Sequence, residues 1–151
     1  MGDVNVKPSD RAKYVGKIDP DAHAAGAVSS AWINAANAHN YLATVQTGVL
    51  GTDATIDAKL EQATTSGGAG AKDITGKAIT QLTDIDSPND ASKVAQINLA
   101  TEELDVEGGF DFFRLTVTVA VATSDVSALV QQFDRRYQPG ADSSDVAEVV
   151  T

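Results

Sequence analysis

A chain of 151 residues that is 42% hydrophobic and 5% aromatic has room for one domain with a hydrophobic core, and not for two. With 21 acidic against 11 basic residues its formal charge is −10, the wrong sign for displacing counterions from phosphates, so no nucleic-acid partner is expected. The absence of Cys excludes disulfides, thiolate nucleophiles and Cys-based zinc sites, and no run approaches the ~18 apolar residues of a membrane helix, so no membrane partner is expected.

The first segment, residues 1–25, reads as an extended arm. Pro8 and Pro20 interrupt regular structure, and charges of both signs alternate with scattered apolar residues. Lys7, Arg11, Lys13 and Lys17 supply basic groups there, and Tyr14, Val15 and Ile18 supply apolar anchors. Lys7, Arg11, Lys13, Tyr14 and Lys17 are therefore candidate partner-binding residues. The start at Met1–Pro8 lacks an apolar stretch of signal-peptide type, which leads us to expect folding in a cytoplasm.

From Gly26 the apolar period changes to two, and a core over residues 26–133 is expected. Val28, Ser30 and Trp32 alternate with Ser29, Ala31 and Ile33 as a first strand, and Tyr41–Gln46 forms a second. Ala54, Ile56, Ala58, Leu60 and Gln62 then share one face, with Thr55, Asp57, Lys59 and Glu61 on the other, as in a half-buried antiparallel strand. The Gly-rich stretch 64–70 reads as a hairpin loop. Shorter strands are expected at Lys77–Leu82 and Lys93–Leu99, separated by an acidic loop at Thr83–Asp90. Phe113, Leu115, Val117, Val119 and Val121 face one way, and Arg114, Thr116, Thr118 and Ala120 the other. β-Branched residues dominate this run, which favours strand over helix. Turning at Ala122–Asp125 into Val126–Phe133, it predicts a hairpin. Arg114 is expected to reach a carboxylate or a neighbouring subunit. Residues 134–151 read as a polar tail broken at Pro139-Gly140, with Asp145 a possible cap for one helical turn. About seven short strands and no long amphipathic helix predict an all-β chain, an antiparallel sandwich or jelly-roll-like barrel.

Chemistry-bearing patterns are sparse. His23 lies in the arm and His39 in the Asn/Ala-rich turn 37–40, neither beside a Ser or Thr in an elbow motif. Glu102, Glu103, Asp105 and Glu107 form the densest carboxylate cluster, without an aromatic-lined sugar cleft beside it. The run Asp84–Asp90 lacks the sixth-position Gly and twelfth-position Glu of an EF-hand, and Gly67–Lys72 lacks the order of a phosphate loop. No catalytic, cofactor-binding or metal-ligating residue is assigned, no cofactor is expected, and the chain is expected not to be an enzyme. Arg135-Arg136, the sole adjacent basic pair, precedes Tyr137; it is either a solvated strand exit or a phosphate contact.

Several segments occur in an order that resembles a group of tailed-phage structural proteins. They are the Trp-containing first strand, Ala54–Thr64, the Gly-rich residues with Lys72–Leu82, Phe112–Ala120, and the exit Phe133-Asp134-Arg135-Arg136-Tyr137. The resemblance covers roughly Val28 to Tyr137 and is to head decoration (cement) proteins. It implies a structural subunit bound to the major capsid protein on the capsid exterior of a virion, in a cyclic oligomer, a homotrimer. Arg135, Arg136 and Tyr137 join the arm as candidate partner-binding residues. A tail or neck component (tube, stopper or terminator) and a carbohydrate-binding module remain alternatives.

Overall fold

The computed structural model describes residues 6–137 and 143–150. A short helix, α1 (Pro8–Arg11), is followed by ten strands: β1 (Lys13–His23), β2 (Gly26–Ser29), β3 (Ile33–Asn34), β4 (Ala38–Thr47), β5 (Thr55–Ala63), β6 (Lys72–Ala78), β7 (Leu82–Thr83), β8 (Val94–Ala100), β9 (Phe112–Ala120) and β10 (Ser124–Arg135). They build two antiparallel sheets. The first has the order β1-β10-β4-β8; the second runs β2-β9-β5-β6, with β3 also on β9 and β7 also on β5. The protein is an all-β sandwich.

Period-two apolarity determines what lies between the sheets. Ile56, Ala58 and Leu60 of β5 and Phe113, Leu115, Val117 and Val119 of β9 face Tyr41, Ala43 and Val45 of β4 and Val126, Ala128 and Val130 of β10, all buried. Across the gap Phe113 meets Tyr41 edge-on at 4.7 Å between ring centroids. The five positions Ala54, Ile56, Ala58, Leu60 and Gln62, expected on one face, are all buried.

Four expectations need correction. Residues 13–23, expected to belong to an arm, are the edge strand β1, paired with β10 from Lys13↔Gln132 to His23↔Ser124, and Ile18 enters the core at 4% exposure. Register shifts between Tyr14 and Gly16 and between Ile18 and Asp21 change the side-chain parity twice, so no simple alternation survives in the sequence. The first core strand is split: the register on β9 changes from Ser29↔Thr116 to Ile33↔Phe113, which leaves one extra residue at Ser30–Trp32. Ser30 holds this bulge, its N–H donating to Leu115 O at 2.9 Å and its hydroxyl accepting from Leu115 N at 3.1 Å. The strand expected at 77–82 lies earlier, as β6, with only Leu82–Thr83 as β7.

The fourth correction concerns β9 and β10, which form no hairpin: they belong to opposite sheets. Val121 adopts φ 71° in the connection and is exposed, and the chain crosses the sandwich there. The Ser124 hydroxyl accepts from Gly51 N at 3.0 Å, and a Cβ on Gly51 would lie 2.5 Å from Thr123 O, so the crossing requires glycine beside it.

Candidate functional site

Of the partner-binding residues expected from the two ends of the chain, Lys13, Tyr14, Lys17 and Arg135 lie along or beside one edge of the first sheet. Arg135, at the end of β10, donates from Nη2 to the carbonyl of Asp10 in α1. Lys13 is buried, with Asp10 at 3.9 Å. Tyr14 is 40% exposed and paired with Gln131. Lys17 bonds Asp19 at 2.9 Å and reaches Asp145 at 3.6 Å, and these two carboxylates hold its ammonium pKa above the ordinary value. The tail expected to be loose thus returns to β1: Val146 and Val149 border a hollow shared with Tyr14 and Gln131. Asp145 caps no helix; its own N–H donates to Ser143 Oγ. Pro139-Gly140 lies outside the described residues. Lys7 and Arg11 are exposed at the two ends of α1, and Tyr137 is exposed beyond β10. Arg136 turns to the end of the sandwich, its N–H on Asn37 O, away from Lys17 and Tyr14.

Beside that edge lies a surface that the strand-by-strand reading did not assemble. The buried positions of β10, β4 and β8 alternate with outward ones, and the pairing registers these into rows. Gln131, Leu42 and Asn98 form one row, Leu129, Thr44 and Gln96 the next, and Ser127, Gln46 and Val94 the third. Tyr14 and Lys17 on β1 extend the first two. The nine positions carry amides, hydroxyls and aliphatic groups, and no charge. Leu129 is 44% and Val94 57% exposed. The signal available in the sequence was the lack of charge at alternate positions of three strands already recognised as such.

The second sheet is different. Its outward side carries Glu61, Arg114, Lys59 and Asp73 as a bonded set. Arg114 Nε donates to Glu61 Oε2 at 2.8 Å, the Thr116 hydroxyl donates to the same oxygen at 2.7 Å, and Lys59 reaches Asp73 at 2.7 Å. Burial pushes the Glu61 carboxyl up, but the Thr116 and Arg114 hydrogen bonds outweigh it and hold its pKa below the ordinary range. Arg114 also lies 4.6 Å over the Trp32 ring. The expectation that Arg114 reaches a carboxylate is met within its own chain.

The acidic clusters have structural partners. Glu103 bonds Lys77 at 2.7 Å and accepts from Ala100 N; Asp105 bonds Lys72 at 2.6 Å and accepts from Gly108 N. Asp84 accepts from Asn89, and Asp90 from Thr83 N. Among the described residues no group of three or more His, Asp or Glu side chains is placed to hold a metal ion. A cavity of about 430 Å³ at the end of the sandwich brings His39, Glu102, Asp111 and Arg136 to one rim. Burial pushes the nearby Tyr41 hydroxyl up to about 12. No helix among the described residues is long and apolar enough to cross a membrane. No protein-family model matches the chain, and no curated protein matches it.

Proposed function

We propose that this chain is a structural subunit of the capsid-decoration kind, docked on the major capsid protein at the outside of a phage head. The observation that carries this reading is the uncharged three-by-three face of the first sheet, centred on Thr44. Forming a contact strips water from both surfaces, which is costly for charges, and the cores of protein interfaces are accordingly depleted of them. A chain of net charge −10 that leaves nine registered positions neutral on one sheet, while placing bonded ions on the other, has one side suited to protein and one suited to water. The remaining negative charge supports solubility and costs nothing on a surface that does not meet packaged DNA. Repetition of the lattice multiplies modest individual contacts. The segmental resemblance to head decoration proteins supports the same reading.

The test uses cognate capsid shells lacking this protein. Thr44→Asp with Leu129→Asp should lower occupancy by about tenfold or more, the effect of ~1.4 kcal/mol lost in the contact, while leaving the fold intact. Asp57→Asn, on the second sheet, should decorate as the parent does. Equal occupancy by all three proteins rejects this face as the footprint.

A further inference from the structure

Among the described strands on the margins of the two sheets, β8 alone is not protected against pairing; β3 and β7, beside β2 and β6 on those margins, have only two residues each. β1 carries Pro20, Lys17, Asp19 and Asp21 and has two register shifts. β2 has four residues. β6 carries Lys72, Asp73 and Lys77, with a register shift against β5. These are ordinary ways of preventing an edge from pairing. β8, Val94–Ala100, has seven residues, no charge, no proline and an unbroken register against β4.

The hydrogen bonds at its ends show which backbone groups face outward. Lys93 O accepts from Thr47 N of β4, so odd-numbered positions face β4. Ala100 N donates instead to its own Glu103 carboxylate, so even-numbered positions face away. The N–H and C=O groups of Val94, Gln96 and Asn98 therefore form an open ladder, and β4 is the one strand that β8 pairs with among the described residues.

We infer that β8 pairs antiparallel with β8 of a second copy, about a twofold axis at Ile97. This register places Gln96 opposite Asn98, Val94 opposite Ala100, and Ile97 opposite itself. Gln96 and Asn98 exchange both backbone bonds on each side of the axis, and their outward amides stand opposite one another. The Ala100 N–H stays with Glu103, so the Val94–Ala100 pair is joined by one bond alone, from Val94 N–H to the Ala100 carbonyl. Exposed Val94 is covered by the facing strand end. Lys93 approaches the Thr101–Glu103 turn of the other copy, where Glu102 is exposed, so the strand ends are complementary in charge. The occupant is a second copy because the strand is its own complement: no position meets a like charge, and a chain of −10 can approach itself closely only where charge is absent. The product is a continuous eight-stranded sheet in which the two neutral faces join. Its symmetry is twofold, where the family resemblance implies threefold.

The test is sedimentation velocity on the free protein, with no capsid present, so it succeeds or fails independently of the proposed function. The expected species has about 31 kDa, twice the 15.6 kDa chain. Gln96→Pro removes an outward donor and spares the bonds to β4, so it should give a monomer of unchanged secondary structure. Two charge variants test the register. Gln96→Lys/Asn98→Lys and Gln96→Glu/Asn98→Glu should each dissociate at least about tenfold more readily than the parent, and an equal mixture should recover the dimer. A parent that stays monomeric or forms a trimer overturns the inference. So does a dimer insensitive to these changes, or a mixture that stays monomeric.

Discussion

Replacing Arg114 by Met tests the ion pair that ties β9 to β5 on the solvent side of the second sheet. The side chain is 30% exposed and its partner Glu61 15%, with Nε 2.8 Å from Oε2. A fully exposed pair contributes ~0–1 kcal/mol, and this one is partly buried, where solvent screens it less, so it belongs near the upper end. Loss of the guanidinium over Trp32 removes a further ~0.5–1 kcal/mol. Met retains most of the apolar stem against the indole. Glu61 is not orphaned, because the Thr116 hydroxyl remains at 2.7 Å and Lys59 at 3.7 Å. The expected loss is therefore about 1–2 kcal/mol, well short of the ~3–5 kcal/mol of a buried charge left unpaired. Urea unfolding followed by the emission of Trp32, the single Trp, measures it directly. A double-mutant cycle with Glu61→Gln should return about 1 kcal/mol of coupling, reduced by salt. A loss above ~3 kcal/mol, or a coupling near zero, would refute the assignment of Arg114 to an accessible, locally paired position.

Gly68 adopts φ +85°, and a Cβ there would lie 2.7 Å from Trp32 Nε1; Gly68→Ala should cost ~1–3 kcal/mol and shift Trp32 emission, whereas Gly67→Ala, with Thr65 Oγ1 at 3.8 Å as its nearest neighbour, should do neither. Deleting residues 2–12 should leave melting nearly unchanged, but deleting 2–22 removes most of β1 with Ile18 and should lower it sharply in calorimetry; equal melting of both would contradict the sheet order. The carboxyls of Glu61, Glu103 and Asp105 titrate below their ordinary values in the folded protein. Their contribution is therefore complete above the unfolded pKa values and is lost as pH falls through the folded ones. Urea midpoints should fall below about pH 4.5, less so in Glu61→Gln. Lys17 and Lys59 titrate above 10.5, so their contribution is complete below that pH and is lost as pH rises through the higher folded values.

Side-chain parity is the property that local sequence determined here. Alternation from Ala54 to Gln62 and from Phe113 to Val119 named the buried faces of β5 and β9 correctly, because a pleated strand sends successive side chains to opposite sides whatever its neighbours are. The all-β class followed from the same alternation. Parity failed at β1, where two register shifts invert it, and it could not divide β9 from β10, since both bury alternate residues in the same core. Which strand lies beside which is decided by contacts between residues far apart in the chain. Glu61 meets Arg114 across 53 positions, and Arg135 meets Asp10 across 125. The neutral face is of that kind: three uncharged stretches become one surface only when β10, β4 and β8 pair in a single register. The sequence by itself determined what each strand buries; tertiary structure decided what each strand pairs with, and through that pairing which uncharged positions gather on one sheet and which charged ones pair on the other.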